Sequence, residues 1–361
     1  MQPFHVRFPF WAVITLLAWQ PCHAEEAFSN AQSGWDQTEN ETETAFTKHY
    51  DSQSKAWEDI HQRVLRKWSD GALPEKKIFV EYFNGDSTRL KVDYENGAVT
   101  VETLIDKQGS ANSAKIAKDS ISKALSEIVS PARSSAEAVL SIDEISNSQE
   151  SMQALATSLS KSTATAGTEL GGDGQERQLF RVTFKLVPDY IKRRAAKYKP
   201  TVDVWAKKYN LDPAFILGIM RQESAFNPRA RSSAGAVGLL QIMPQFAGQE
   251  VMGVVTGKAA PPTPEYLYDP SKNIMVGSTY LQLLRDKYFQ SISDKATQQY
   301  LITCAYNWGP HRIKTAISKG RLKTRMPASD IFNRLQEIAP SETREYLRKV
   351  TQYTKDFKGK D

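Results

Sequence analysis

A short apolar helix that ends in a carboxylate constrains this chain of 361 residues more than any other feature. Asp212 can cap the helix, and Pro213 suits its first turn, where the missing N–H would have no partner. The apolar run 215–220 forms the body of the helix, and Glu223 falls on the same stripe at helical spacing. Glu223 therefore occupies a position where a core leucine is expected.

A buried carboxyl at this position would be chemically useful. Burial raises the pKa of a carboxyl, because its charged form loses hydration. Glu223 would then keep its proton near neutral pH and could donate it to a leaving oxygen. The alternative is that the apolar stripe ends one turn earlier and leaves Glu223 in solvent, which is the usual situation of an isolated glutamate. The motifs that follow Glu223 favour the buried, reactive interpretation.

Four short motifs follow one another in the C-terminal half. They are Glu223-Ser224, the Gly-Leu-Leu-Gln-Ile-Met run 238–243, Ala305-Tyr306-Asn307 and the Glu-Thr-Arg-Glu-Tyr run 342–346. In these residues the chain resembles the lytic transglycosylases of bacterial cell walls, in the soluble-lytic-transglycosylase, or goose-lysozyme-like, family. Residues 180–209 resemble the linker region of one member, and the region before them resembles that member's extra domain more weakly.

The resemblance implies an α+β protein, in which a mainly α-helical, lysozyme-like catalytic domain (189–361) follows a smaller mixed α/β accessory domain (46–188). It also implies a lytic transglycosylase that cleaves the β-1,4 bond between N-acetylmuramic acid and N-acetylglucosamine of peptidoglycan. Glu223 would be the single acid and base, and the products would carry 1,6-anhydro-N-acetylmuramic acid ends. No cofactor is implied, and the ligand spacings of a metal site do not occur in the sequence.

The resemblance further implies substrate-binding residues around the acid: Ser224, Gln241, Met243, Tyr306, Asn307 and Tyr346. Ser224 and Gln241 would hydrogen-bond the sugar and its N-acetyl group, and Met243 would form the floor of the cleft. A flat ring with a hydroxyl tip suits Tyr306 and Tyr346 to hold a sugar or to hydrogen-bond the acid. Asn307 would add an amide to the same network.

Local patterns leave other roles open. Tyr346 repeats with Val350 at helical spacing, so periodicity alone makes it a core residue. Gln241, taken alone, would be an ordinary surface amide. Many relatives have Ala-Gly or Gly-Gly after Tyr-Asn, whereas this chain has Trp308-Gly309-Pro310. Trp308 could add a stacking surface for a sugar or narrow the groove, and the sequence does not choose between these roles.

The first 24 residues are typical of an export signal. Arg7 supplies positive charge, the run 10–17 is apolar, and Cys22-His23-Ala24 ends in a small residue where cleavage can occur. The predicted location is therefore the periplasm. A bacterial lipobox places small residues before its cysteine, whereas Cys22 follows Trp19-Gln20-Pro21. The pattern does not support a lipid anchor at Cys22, and membrane association stays open.

The accessory region combines helix and strand patterns. Residues 25–45, before it, are polar and acidic, and we expect them to be disordered. Predicted strands follow at 77–83, 90–94, 98–104 and 180–186, and a predicted helix lies around 116–129. Asn96-Gly97 predicts a two-residue hairpin loop, and the Gly/Thr-rich segment that ends at Gly174 predicts a loop.

Charge is distributed unevenly along the chain. Residues 191–361 carry 28 Lys and Arg against 14 Asp and Glu, although the net charge of the whole chain is only +6. A basic surface suits glycan strands of peptidoglycan, whose stem peptides carry carboxylates. The export signal and the lack of a recognisable binding motif argue against nucleic acid. We expect the acidic accessory region to position or restrict the catalytic region, to be the place where any cell-wall or envelope protein binds, and to contribute no chemistry.

Two other functions are compatible with these residues. A muramidase on the same fold would use water, and its products would lack anhydro ends. A non-catalytic wall-binding or scaffold protein would have no need of the Glu223-Ser224 pair, which argues against that function.

Overall fold

We describe the protein from a computed structural model. The structure describes residue 55 and residues 58–107, 112–128, 139–147 and 152–359, which belong to one compact unit, Lys55–Asp361. The predictions on the export signal, on lipid attachment and on disorder at 25–45 concern residues outside these ranges. Over the described ranges, no helix has the length and apolar character needed to cross a membrane.

The described residues before 188, which we call the N-terminal part, contain a five-stranded antiparallel sheet with the strand order β1-β2-β3-β5-β4. Its strands are β1 (Ile78–Phe83), β2 (Thr88–Asp93), β3 (Ala98–Asp106), β4 (Ala164–Leu170) and β5 (Glu176–Lys185). The four predicted strands are confirmed, since they correspond to β1, β2, β3 and β5. Leu90 pairs with Val101 and Val101 with Val182, so one apolar row crosses three strands.

The loop between β2 and β3 is longer than the sequence predicted. Asp93 pairs with Ala98, so four residues connect the strands and not two. The Asp93 carboxylate accepts hydrogen bonds from the backbone N–H groups of Glu95 and Asn96, at 3.0 and 2.9 Å. Such a side-chain turn competes with the tight hairpin and stabilises a wider loop.

The prediction of a loop up to Gly174 is wrong, because β4 lies inside it. Ala164–Leu170 pairs with β5, with a register shift between Thr165 and Gly167. This edge strand buries none of its side chains fully. It therefore lacks the apolar alternation by which a sequence reveals a strand, and its backbone pairing with β5 defines it.

Four helices belong to the N-terminal part: α1 (residues 58–65), α2 (Ser113–Ile128), α3 (Ile142–Ile145) and α4 (Met152–Ser160). The predicted helix around 116–129 is confirmed as α2. Its buried face, with Ile121 and Leu125, packs on the apolar row of the sheet. Ile116, at the start of the predicted segment, is exposed.

From residue 190 to 358 the regular structure of the described chain is helical, as predicted, and we call this the helical part. Its helices are α5 (Tyr190–Tyr209), α6 (Pro213–Ser224), α7 (Gln249–Thr256), α8 (Pro264–Tyr268), α9 (Pro270–Leu283), α10 (Lys295–Trp308), α11 (Pro310–Ser318), α12 (Ala328–Ile338) and α13 (Ser341–Lys358), with π-helical turns at Pro244–Gly248 and Leu284–Tyr288. The α+β class is therefore confirmed, whereas the domain limits 46–188 and 189–361 stay a prediction.

Helix α6 lies against α13 in the core of the helical part. The Asp212 carboxylate caps α6 through a 2.9 Å bond from the N–H of Ala214, which confirms the predicted start. Ile216 and Met220 are fully buried. A Cβ on Gly218 would lie 2.7 Å from Oγ1 of Thr354 in α13. Glycine thus permits the close approach that brings α13 alongside the last turn of α6.

Candidate active site

Glu223 lies in the last turn of α6, and only 7% of it is exposed. The helix ends at Ser224, and Ala225 caps it in the left-handed conformation with φ of 49°. Burial confirms the position that the apolar stripe predicted. It also raises the pKa of the Glu223 carboxyl above its ordinary value, because the charged form loses hydration.

Charged and polar neighbours modify this effect. The nearby Lys76 ammonium and the hydrogen bond from Tyr346 favour the carboxylate and lower the pKa, but the rise caused by burial is larger. A smaller contribution from Lys77 has the same sign as that of Lys76, and the negative charge of Glu342 adds to the rise. The result is a carboxyl that holds its proton more firmly than an exposed glutamate.

Tyr346 contacts Glu223 directly. Its hydroxyl donates a hydrogen bond of 2.6 Å to Oε1 of Glu223, and its ring is buried in α13. Burial and the nearby Glu223 carboxylate raise the pKa of Tyr346 well above its usual range, so the side chain stays a phenol. Tyr346 is therefore a core side chain that also hydrogen-bonds Glu223, while its role in substrate binding stays a prediction.

Tyr306 holds the loop 238–243. Its hydroxyl donates a 2.7 Å hydrogen bond to the carbonyl of Leu240, and its ring makes an edge contact with Tyr280. Burial, followed by the charge of Glu223, raises the pKa of Tyr306. The hydroxyl of Tyr306 thus donates to the loop, and Glu223 is close enough to influence Tyr306 electrostatically.

Ser224 does not have the expected position. The side chain is fully buried, and its hydroxyl lies 2.8 Å from the carbonyl of Leu239 and 3.1 Å from that of Met220. Its single proton is shared between these backbone acceptors, so it is not directed to a substrate. Ser224 instead joins the end of α6 to the loop 238–243.

Asn273, which the sequence interpretation missed, holds the same loop. Its amide donates to the carbonyls of Val237 and Leu267 at 2.9 and 2.8 Å, and its Oδ1 accepts from the N–H of Leu240 at 2.8 Å. A Cβ on Gly238 would lie 2.2 Å from this amide nitrogen. The position of Asn273 in the first turn after Asp269-Pro270 offered no sequence signal for this role.

Gln241 is buried and not a surface residue. It has a left-handed backbone, with φ of 47°, and its amide nitrogen donates to the carbonyl of Gly238 at 3.0 Å. In the described part of the chain its Oε1 has no hydrogen-bond partner although it is buried. An acceptor without a partner is costly, and so is this backbone conformation, which is a pattern found at ligand sites.

The other predicted binding residues differ in their burial and in their hydrogen-bond partners. Met243 is half-buried at the start of the π-helical turn Pro244–Gly248. The Oδ1 of Asn307 accepts a 2.6 Å hydrogen bond from the hydroxyl of Thr343, so its amide joins α10 to α13. Trp308 is half-buried and packs against the core of the helical part.

Lys76 is the main residue that the sequence interpretation missed. Its Nζ lies 3.9 Å from Oε2 of Glu223, and 46% of its side chain is exposed. The residue precedes β1, so the N-terminal part contributes a positive charge to the site. The expectation that the accessory region supplies no chemistry stays a prediction. No local pattern relates residue 76 to residue 223, because the contact is created by tertiary packing.

The carboxylates of the run 342–346 take different positions. Glu345 forms an exposed ion pair with Lys349 at 3.0 Å. Glu342 accepts a weak 3.4 Å hydrogen bond from the amide of Asn307 and is close enough to influence Glu223 electrostatically. Over the described ranges, no group of three or more His, Cys, Asp or Glu side chains is arranged to hold a metal ion. The buried Glu223 carboxyl, with its raised pKa, is suited to donate a proton.

Comparisons with known proteins match two parts of the chain to family models. Residues 200–326 match the family model of the transglycosylase SLT domain, and residues 42–126 match that of the N-terminal domain of membrane-bound lytic murein transglycosylase C. The protein of that name from Actinobacillus pleuropneumoniae serotype 5b (strain L20) is 30% identical over 304 residues, which cover 79% of this chain and 81% of the relative. The one from Salmonella paratyphi B is 29% identical over 297 residues, with 78% and 82% covered.

A solved structure of a soluble relative is also similar over part of its length. The 70 kDa soluble lytic transglycosylase SLT70 from Escherichia coli is 29% identical, with a TM-score of 0.37. The match covers 46% of this chain and 25% of that one.

Proposed function

We propose that this chain, which belongs to the lytic transglycosylase family, cleaves the β-1,4 bond between N-acetylmuramic acid and N-acetylglucosamine and leaves 1,6-anhydro ends. Membership of the family makes it a peptidoglycan-cleaving lyase. The observation that carries the more specific proposal is the buried Glu223 carboxyl, whose pKa is raised and whose Oε1 is held by Tyr346.

The first proposed step is proton donation. Glu223 protonates the glycosidic oxygen, and the bond between this oxygen and C1 of the muramic acid breaks. The hydrogen bond from Tyr346 occupies Oε1, so the proton is carried on Oε2. A raised pKa keeps that proton available near neutral pH.

The second step returns the proton. The substrate's own 2-acetamido group stabilises the positive charge at C1, so no protein nucleophile is required. Glu223, now a carboxylate, accepts the proton of the C6 hydroxyl as that oxygen attacks C1. The new O6–C1 bond gives the anhydro ring, and Glu223 regains its proton. Water is not consumed, which distinguishes this route from the two-carboxylate routes of hydrolases.

The surrounding residues have roles that fit this reaction. The unpartnered Oε1 of Gln241 would accept a hydrogen bond from the acetamido N–H of the substrate. Met243 would form an apolar floor, and Tyr306 would hold the sugar ring near the acid. Asn307 would act through its bond to Thr343, and Ser224 through its bond to Leu239.

We also propose that the protein acts on glycan strands in the periplasm. The first 24 residues support export, and the relatives are named membrane-bound. The departure from a lipobox at Trp19-Gln20-Pro21 favours a mature N-terminus at Glu25 without lipid. Metabolic labelling of the protein with a fatty acid, or a mature chain that begins at Cys22, would contradict this.

The reaction is tested with purified sacculi and mass spectrometry of the soluble products. We expect the parent chain to release anhydro-muropeptides and the Glu223→Gln variant to release none while still binding sacculi. The amide keeps the size and hydrogen bonding of the carboxyl but cannot transfer a proton. Products with reducing ends would identify a muramidase, and release by Glu223→Gln above a few per cent of the parent rate would assign the chemistry to another acid.

A further inference from the structure

We propose that Lys76, supplied by the N-terminal part, is a positioning residue whose ammonium stabilises the carboxylate form of Glu223 from beside Oε2, so that cleavage depends on the N-terminal part. The inference rests on the proposed function of Glu223. It adds to that function a residue outside the four motifs.

The two oxygens of the Glu223 carboxyl have different neighbours. Tyr346 of α13 donates to Oε1 at 2.6 Å, and Lys76 lies 3.9 Å from Oε2. A distance of 3.9 Å is too long for a hydrogen bond but short for two opposite charges. Lys76 can therefore act on Oε2 through space and leave this oxygen free to meet the substrate.

The backbone of Lys76 is attached to the loop that follows Glu223. The amide of Asn227 donates to the carbonyl of Lys76 at 3.4 Å, while the N–H of Asn227 donates to the carbonyl of Ser224 at 3.0 Å. Asn227 is fully buried. It therefore links the end of α6 to the segment that carries the lysine.

A buried contact fixes the N-terminal part against the same loop. The Arg194 guanidinium of α5 forms an ion pair of 2.9 Å with Glu144 of α3, donates to the carbonyl of Phe226 at 2.8 Å and lies over the ring of Tyr94. Ala225 is buried in the core of the sheet. Arg194 thus links the residues that follow Glu223 to Glu144 and Tyr94 of the N-terminal part.

The positive charge of Lys76 would stabilise the carboxylate form of Glu223, which the proposed reaction requires between its two proton transfers. Glu223 must first be protonated and must then exist as a carboxylate until the C6 hydroxyl returns a proton. Burial alone would raise the free energy of that carboxylate, because the charged form loses hydration. Lys76 offsets part of the cost.

Other groups that influence Glu223 come from three elements. Lys77 lies beside Lys76 but is paired with Glu95. Tyr346 and Glu342 face the carboxyl from α13, and Tyr306 faces it from α10. Both tyrosines remain uncharged, because burial raises their pKa values. Lys76 therefore supplies the cation nearest to Glu223 among those that influence it.

The decisive variant is Lys76→Met in the full chain, assayed on soluble glycan strands of peptidoglycan across pH. Activity requires protonated Glu223, so it is lost as pH rises through the pKa of this carboxyl. Loss of the cation raises that pKa further, and the alkaline limb of kcat/KM moves to higher pH. We expect kcat at pH 7 to fall about three- to tenfold with KM unchanged.

Two variants control for charge and for general surface effects. Lys76→Arg should keep the parent pH profile, because it preserves the charge. Lys107→Met removes an exposed lysine of the N-terminal part that pairs with Glu176 and should change nothing. An unchanged kcat and pH profile in Lys76→Met would overturn the proposal. A raised KM with an unchanged profile would also overturn it and identify Lys76 as a binding group for a substrate carboxylate.

A titration without substrate separates this proposal from the proposed function. The Glu223 carboxyl is followed by ¹³C NMR and assigned through its absence in Glu223→Gln. In Lys76→Met its pKa should lie higher than in the parent, and equal values would refute the inference. The result does not depend on whether the products carry anhydro ends. If Lys76→Met does not fold, Lys76→Gln gives the same comparison with a polar side chain.

Discussion

The hydroxyl of Tyr346 donates a hydrogen bond of 2.6 Å to Oε1 of Glu223, across 123 positions of sequence. Because α13 begins far from α6 along the chain and packs against it in space, the acid and its donor are brought together by the fold. The bond fixes the orientation of a carboxyl that burial has already made reluctant to ionise. In the proposed reaction this leaves Oε2 to carry the proton.

Removal of this bond should impair catalysis more than folding. Tyr346→Phe keeps the buried ring but leaves Oε1 of Glu223 without its donor, and we expect kcat to fall about tenfold. Loss of a buried hydrogen bond should cost about 1–3 kcal/mol of unfolding free energy. Steady-state kinetics and urea unfolding measure the two effects. Tyr353→Phe, in the same helix, is the matched control and should retain activity. Parent-like kinetics in Tyr346→Phe would show that the contact is only structural.

The same carboxyl should limit stability at high pH. Burial raises the pKa of Glu223 in the folded chain above its value in the unfolded chain. The stabilisation that this shift provides is present below the unfolded pKa and is lost as pH rises through the folded pKa. Glu223→Gln should therefore have a higher Tm than the parent above that pKa, and a smaller difference at acidic pH. A calorimetric pH series tests this, and a Tm difference that does not vary with pH would contradict it.

Local signals predicted much of the fold and of the site. The stripe that contains Ile216 and Met220 placed Glu223 in the core, and Asp212 marked the start of α6. These features depend on periodicity and caps within one helix, so the sequence contains them. β4 escaped prediction because an exposed edge strand has no apolar alternation, and its definition comes from pairing with β5.

Contacts between distant residues could not be predicted in the same way. Lys76 reaches Glu223 only because the N-terminal part packs against the loop that follows α6. Ser224 looked like a polar residue next to the acid, but its hydroxyl is used by two backbone carbonyls. In both residues the chemical type was visible in the sequence, whereas the partner depended on tertiary structure.

Ser224 should behave as a structural residue. Ser224→Ala leaves the buried carbonyl of Leu239 without its side-chain donor, and we expect a loss of about 1–3 kcal/mol in unfolding free energy. Binding of glycan should change little at temperatures where the variant is folded. Ser318→Ala, which removes an exposed hydroxyl bonded to the carbonyl of Thr315, should have almost no effect. A stable Ser224→Ala variant with weakened glycan binding would restore the original substrate-contact interpretation.

The buried ion pair between Arg194 and Glu144 should contribute both to the stability of the fold and to activity. Its side chains are only 3% and 5% exposed, so Glu144→Leu leaves a buried guanidinium without its counter-charge. We expect this change to cost about 3–5 kcal/mol, since an uncompensated buried charge is strongly destabilising. Arg194→Met should cost a similar amount. The double variant should lose less than the sum of the two, because neither charge is then left unpaired.

The variants of Arg194 and Glu144 should also change the activity of Glu223. Arg194 also holds the carbonyl of Phe226, three residues after the acid. Weakening this contact should loosen the N-terminal part, and with it Lys76, before the helical part unfolds. We therefore expect each single variant to lose activity at temperatures below its own Tm, with an alkaline limb displaced in the same direction as in Lys76→Met. Chemical denaturation and pH–rate profiles of the four proteins provide the measurements. Full activity in a strongly destabilised single variant would show that the packing of the N-terminal part does not control the acid.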